Sequence, residues 1–206
     1  MILETVRVGG MQVNCYVLAC AEGAKAVIID PGDQAHRIKA VLEKHRLTPG
    51  IIINTHGHFD HIAKDDEFGV EVYVHKDDRP MLEDPARNLS ASFSIPCKVS
   101  SCIKTLEDGD LVKFDCIELE VMHLPGHSPG GIALLMKSPE TGIVFTGDTL
   151  FCRGVGRCDL PGGNEDSLGI SIRDKLFTLP ENTKVYPGHG PGTTIGEEKR
   201  ANPFII

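Results

Sequence analysis

The sequence has no excess of positive charge: 21 lysines and arginines stand against 29 aspartates and glutamates, a net charge of -8. Nucleic acid is therefore not expected as a partner, because its phosphates are bound through Lys and Arg. The acidic surface favours solubility instead. No apolar run approaches membrane-spanning length, Ile132–Met136 being about the longest block, so no membrane partner is expected either. The N-terminus carries Glu4 and lacks the apolar core of a secretory signal. No residue-level repeat is present. The seven cysteines, at 15, 20, 97, 102, 116, 152 and 158, are odd in number and form no Cys-x-x-Cys pair. That spacing argues against a thiolate metal site. It predicts free thiols, mostly packed as small apolar groups, in a reducing cytoplasmic compartment. Cys152 and Cys158 flank a glycine-rich segment near other candidate residues and are the two a thiol role would use.

What the chain does have is a β-rich pattern cut by glycine and proline. Its 206 residues, 41% hydrophobic, suffice for a sizeable core in one or two domains. Thr5–Val8, Val13–Leu18 and Ala26–Ile29 read as a meander that stops at Asp30-Pro31-Gly32. Asp30 is either a turn residue or an acceptor that orients a ligand histidine. A helix follows, capped by Asp33, with Ala35, Ile38, Val41 and Leu42 at helical spacing. His36 and His45 lie on it as surface or helix-end residues. The strand Ile51–Asn54 comes next, then a histidine-rich loop, a short helix over Ile62–Phe68 and the strand Glu71–Val74. His75 at that strand's end reads as structural. Residues 76–104 read as irregular, with a short helix near Asp77–Leu82, and could wall a pocket.

A second β-rich series starts near Leu111: Leu111–Phe114, Ile117–His123, Ile132–Lys137 and Ile143–Thr146. Asn164 caps a helix carrying Leu168, Ile172, Leu176 and Phe177, and a last strand, Lys184–Tyr186, ends at Pro187-Gly188-His189. Both series lead into strand–helix units and deliver His or Asp at strand ends. Two packed sheets with helices outside would bury the apolar strands on both faces and gather those loops along one rim.

The loop Thr55-His56-Gly57-His58-Phe59-Asp60-His61 carries three of the nine histidines and a carboxylate within six residues. Imidazole and carboxylate are the usual nitrogen and oxygen ligands of zinc and its neighbours. Residues two apart in an extended segment share a face, so His56 and His58 can converge on one ion. After the turn at Phe59, Asp60 and His61 can point at a second. His127, Asp148 and His189 each sit in a glycine-containing turn after a β run. One ion then takes His56, His58 and His127; the other takes Asp60, His61 and His189; Asp148 bridges. Each ion keeps an open position for water, and a pair of ions holds one hydroxide between them at neutral pH. Zinc is the expected metal, with iron or manganese as alternatives.

These residues resemble the HxHxDH signature and later ligand turns of the metallo-β-lactamase fold superfamily. Phe145–Phe151, Gly154–Gly163 and Pro125–Gly130 are similar to the glyoxalase II-type branch. The resemblance covers nearly the whole chain. It implies an α/β fold, a four-layer αββα sandwich, a dinuclear site, and hydrolysis of thioesters such as S-lactoylglutathione by a metal-held hydroxide. It also implies one domain over residues 1–206, in two halves of about 1–110 and 111–206, without the C-terminal helical domain that helps glyoxalase II bind glutathione. At Ile62-Ala63-Lys64-Asp65 the chain departs from the Gly pair common in the family. Lys64 and Asp65 either alter the pocket rim or are tolerated surface changes.

On this reading Asp60 also orients the hydroxide and handles its proton. A departing thiolate, with a parent pKa of about 8.5, needs no separate general acid. Arg153 and Arg157 could bind a substrate carboxylate, though a salt bridge to Asp159 competes for Arg157. His123 either supports the His127 loop or is structural. The alternative activity within the superfamily is a persulfide dioxygenase using one iron on His56, His127 and Asp148. A module that merely keeps the fold, and a β-lactamase, are weaker readings. The partner expected is a small thioester; a homo-oligomer is left open.

Overall fold

The computed structural model describes residues 1–205. Strands β1 (Ile2–Val8), β2 (Val13–Ala19) and β3 (Lys25–Ile29) form an antiparallel meander. Helix α1 (Ala35–Lys44) then crosses to β4 (Thr48–Ile53), which pairs parallel with β3. A short helix α2 (Phe59–Ile62) and a 3₁₀ turn (Asp65–Phe68) lead to β5 (Glu71–His75). Helix α3 (Arg79–Glu83) and a further 3₁₀ turn precede β6 (Ile103–Leu106), and this first sheet has the order β1-β2-β3-β4-β5-β6.

The second half repeats the plan. Strands β7 (Leu111–Phe114), β8 (Ile117–His123), β9 (Ile132–Ser138) and β10 (Ile143–Gly147) run antiparallel. A ribbon of β11 (Leu150–Phe151) and β12 (Gly154–Val155) follows, then α4 (Glu165–Asp174) and β13 (Lys184–Pro187), parallel to β10. Strand β14 (Thr193–Thr194) and α5 (Ile195–Ala201) complete it, with the sheet order β14-β13-β10-β9-β8-β7.

The two-residue alternation of side chains across a strand sorts the apolar residues into three layers. On β2, Cys15, Val17 and Ala19 face the helices, where they meet Ile38 and Leu42 of α1. Tyr16 and Leu18 face the other way, into the space between the sheets with Ile29, Ile53, Leu119, Leu134 and Phe145. On the second sheet, Ala133, Val144 and Val185 pack outward on Leu168, Ile172 and Ile195 of α4 and α5. Burying one such large side chain is worth about 1.5–3 kcal/mol. The result is the expected αββα sandwich.

Several local expectations need correction. Asp33 does not cap α1: Gln34 holds the N-cap position with φ 44° and no side-chain cap, and Asp33 Oδ1 accepts the Gln34 N–H at 2.6 Å. The short helix over Ile62–Phe68 starts earlier, at Phe59, and breaks in two. Strand β6 begins inside the stretch read as irregular, and β11, β12 and α5 gave too few residues to show a period. Asn164 does cap α4, its Oδ1 accepting the Ser167 N–H at 2.8 Å. Asp65 is no surface residue: it is fully buried against Asn54, and burial raises its pKa. No helix among the described residues is long and apolar enough to cross a membrane.

The cysteines also depart from expectation. Cys20, just after β2, is disulfide-bonded to Cys116 in the β7–β8 turn, with Cα atoms 5.9 Å apart and a sequence separation of 96. The odd count and lack of a short-range pair concealed a bridge between two distant segments. Five cysteines, at 15, 97, 102, 152 and 158, are free. The bridge staples one sheet to the other and closes a long loop. Chain-entropy reasoning assigns such a loop about 4–5 kcal/mol. Cys20→Ser is thus expected to lose about 3–5 kcal/mol in urea unfolding, and reducing the native protein should lower its midpoint similarly. Identical midpoints with and without reductant would contradict the bridge.

Candidate metal centre

The parallel strands in each sheet end at the same rim, and the candidate ligands sit on the loops that leave it. His56, His58, Asp60 and His61 follow β4; His127 follows β8; Asp148 follows β10; His189 follows β13. The structure brings all seven together. His56, His58 and His127 offer ligand atoms within 4.8 Å of one another; so do Asp60, His61 and His189, and so do His56, His61 and Asp148. Asp148 lies between the groups, its Oδ1 3.4 Å from His61 Nε2, its Oδ2 3.4 Å from His189 Nε2 and 3.7 Å from His127 Nε2. A side chain at position 188 would put its Cβ 2.1 Å from Asp148 Oδ1, so glycine is required there for close approach.

Hydrogen bonds on the far side of four of the five rings, all but His58, fix their orientation. His61 Nδ1–H donates to Asp30 Oδ2 at 2.9 Å, which turns Nε2 toward the centre. Asp30 also accepts the Thr55 N–H and hydroxyl, both at 2.7 Å. The Thr55 oxygen in turn accepts from His56 Nδ1–H at 3.2 Å. His127 Nδ1–H donates to the Arg157 carbonyl at 2.8 Å, and His189 Nδ1–H to the Met11 carbonyl at 3.0 Å. Such outer partners set tautomer and ring direction in metal sites. Asp30 therefore takes the orienting place, not only a turn.

Donors are left over. His56 Nε2, His58 Nε2 and Asp148 Oδ1 are buried and have no hydrogen-bond partner. His58 Nδ1 and His127 Nε2 face each other at 3.0 Å. Buried unpaired polar atoms are costly, and two imidazole lone pairs that meet need a shared cation. These residues fit divalent metal.

The charge balance is uneven. Burial, and then the neighbouring rings, push His56 down; burial with His127 beside it holds His58 at about 4. Burial opposes charge on His61 too, but Asp148, Asp30 and Asp60 outweigh it and lift its pKa to about 9. For His189, Asp148 and Asp60 outweigh burial and lift it to about 10. Burial would raise Asp60 and Asp148, yet His61 and His189 hold both below the usual carboxylate range.

The remaining candidates lie further out. Arg157 edges the cleft above the metal residues, but its guanidinium is committed to Asp159 in two bonds of 2.7 Å. Its carbonyl, not its charge, touches the centre. Arg153 is exposed and lines neither cleft that contains metal residues; its N–H donates to Glu198. His123 contacts no candidate ligand: it stacks on His75 at 3.8 Å and bonds the Pro129 carbonyl. His75 stacks on His123 and shares with it and Asp77 a further group of possible ligand atoms. Cys158 lies on the outer side with α4, away from the ligands.

Asp78 was not foreseen. It is fully buried and accepts from Gly57 N–H (2.9 Å), Ser128 Oγ–H (2.7 Å) and Gly130 N–H (2.6 Å). It thus pins the His56–His58 loop to the His127 loop. A Cβ at position 130 would meet Asp78 N at 2.5 Å, so glycine is needed there as well. One Asp beside another after a strand carried no sequence signal of this role.

Residues 8–189 match the metallo-beta-lactamase superfamily, and the chain belongs to it. It is 35% identical to hydroxyacylglutathione hydrolase GloC of Haemophilus influenzae over 100% of this chain and 98% of that one. Among solved structures, BLEG-1 B3 metallo-beta-lactamase superposes with a TM-score of 0.90 at 38% identity, covering 100% of both chains. TTHA1623 in a di-iron-bound form gives 0.84 at 38% identity, covering 98% of this chain and 100% of that one. The set fits the single-domain glyoxalase II-like subgroup.

Without metal, His61 and His189 are protonated at pH 7.5, because their pKa values lie above it; His56 and His58 are neutral. A cation needs the Nε2 lone pairs that those two protons occupy. Loading both sites at pH 7.5 should therefore release about two protons from these rings, besides any lost by metal-held water, and apparent affinity should rise with pH up to about 10. Calorimetry in two buffers of different ionisation enthalpy measures the release. Metal uptake without proton release would contradict it.

Proposed function

We propose that this chain is a metal-dependent hydrolase of small thioesters, with S-lactoylglutathione or a related acyl-thiol as substrate. The observation that carries this reading is the convergence of seven donors, several of them buried and unpartnered, in a chain alignable end to end with GloC. His56, His58 and His127 would hold one ion; Asp60, His61 and His189 the other; Asp148 would serve both. Two divalent ions supply a water ionised near pH 7 and an electrophile for the carbonyl oxygen; zinc is our choice for both.

The chain's own groups then have defined tasks. Asp60 keeps its charge at neutral pH and lies 3.5 Å from His189 Nε2. It would orient the metal-held hydroxide by accepting its remaining O–H as a hydrogen bond. Asp30, Thr55 and the carbonyls of Met11 and Arg157 hold four imidazoles with their lone pairs inward. The thiolate leaves without a general acid, since its parent thiol has a pKa of about 8.5.

A second reading is the persulfide dioxygenase. The di-iron form of TTHA1623 supports iron as an occupant of a closely similar chain. His56 falls in one ligand group with His127 and in another with Asp148, and His127 Nε2 lies 3.7 Å from Asp148 Oδ2, so these three are the residues a single iron would use. β-Lactam opening is the third candidate, on the likeness to BLEG-1.

Anaerobic assays of the metal-loaded protein separate them. Cleavage of S-lactoylglutathione without oxygen is expected, abolished by a chelator and restored by zinc. No thioester cleavage, together with oxygen uptake on glutathione persulfide or preferential β-lactam opening, would overturn the assignment.

A further inference from the structure

A second cleft opens beside the candidate metal centre. It has a volume of about 690 Å³ and shares Met11, Phe59, Asp60 and Phe93 with the smaller pocket that holds His58, His127, Asp148 and His189. The two are therefore one continuous groove. Its walls are apolar and unusually bare: Met11, Phe93 and Ile95 are 43%, 53% and 56% exposed. The Phe93 ring packs on Phe59, with centroids 4.9 Å apart. Large apolar side chains left open beside a reactive centre mark a place for an apolar ligand group.

The cleft also contains Lys64, four residues beyond Asp60. The acids of this segment are engaged elsewhere, except Asp33, which lines the same cleft and makes no ion pair among the described residues. Glu67 pairs with Lys39 at 3.0 Å, Asp60 faces His189, and Asp65 is buried against Asn54. Asp66 accepts from Ser100 and Ser101, and Asp33, at the same end of the cleft, accepts from Gln34 N–H. Lys64 makes no ion pair among the described residues. An unpaired cation lining a largely apolar groove is complementary to an apolar chain that ends in an anion.

We propose that this cleft seats the non-reacting arm of the substrate, an apolar chain whose terminal carboxylate or similar anion pairs with Lys64. The proposal rests on the hydrolase reading, and it narrows the substrate class. The groove offers one lysine without an ion pair, with Asp33 and Asp60 as its carboxylates and otherwise mostly apolar walls, so it suits an arm with a single terminal anion better than one carrying several charges. Either the acyl or the thiol half could carry the arm.

Two probe pairs distinguish those sources with the metal-loaded protein. The thiol pair is the acetyl thioesters of 6-mercaptohexanoate and 6-mercaptohexanol. The acyl pair is the adipoyl and hexanoyl thioesters of N-acetylcysteamine. One pair should show kcat/KM about tenfold higher for its anionic member, the size of one charge-assisted contact, and that pair identifies the half in the cleft. Lys64→Glu should erase or invert the ratio, and Phe93→Ser should lower kcat/KM for both members of that pair. Equal values within both pairs, or a ratio unchanged in Lys64→Glu, would overturn the cleft assignment while the hydrolase stands. If no probe turns over, binding of the free thiols decides. Tighter binding of 6-mercaptohexanoate than of 6-mercaptohexanol, lost in Lys64→Glu, keeps the cleft, and the hydrolase then falls only if S-lactoylglutathione is not cleaved either. Absence of that preference overturns the cleft, and absence of S-lactoylglutathione cleavage as well overturns both.

Discussion

Five imidazoles and two carboxylates share one partly buried rim, and their mutual repulsion must be answered. The structure answers it asymmetrically. On one side, burial keeps His56 and His58 neutral, and unpaired nitrogens crowd together. On the other, Asp60 and Asp148 keep their charge because His61 and His189 would be cationic. Divalent cations replace protons and fill empty lone pairs in a single step. The fold around the rim is best understood as the scaffold that makes this crowding tolerable. Buried strands leave no freedom for the loops to splay, and outer hydrogen bonds leave no freedom for four of the five rings to turn.

Those outer bonds tie distant parts of the chain to the centre. Asp30 comes from the end of β3 and holds both Thr55 and His61. Asp78 comes from the turn after β5 and clamps loops that carry His58 and His127. The carbonyl of Met11 belongs to the β1–β2 turn, yet it orients His189. The first half therefore supplies ligands of its own and also restrains those of the second, Met11 holding His189 and Asp78 the His127 loop. The Cys20–Cys116 bridge adds a covalent tie between the same two sheets.

Much of this was legible in the sequence, for definite reasons. Strand-end placement of His56, His127, Asp148 and His189 could be read because each follows a strongly apolar run and a glycine or proline turn. The layer architecture could be read because β2, β4 and β10 are apolar on both faces. Asp78, the disulfide and the burial of Asp65 could not be read, since each depends on a partner fixed only in three dimensions. Lys64 was noticed as a departure in a loop, but its position in a largely apolar cleft, with most neighbouring acids engaged elsewhere, needed the fold. Arg153 and Arg157 were attractive as cations near the right segment. One lines neither cleft beside the metal residues, and the other is already paired.

The central claim is that two cations occupy one rim, held by these seven side chains. Anomalous diffraction from a crystal of the metal-loaded protein tests it most directly. The account predicts two anomalous peaks, one among His56, His58 and His127 and one among Asp60, His61 and His189, with Asp148 reaching both. Peaks elsewhere on the molecule, or His127, Asp148 and His189 turned away from the loop at 56–61, would contradict it.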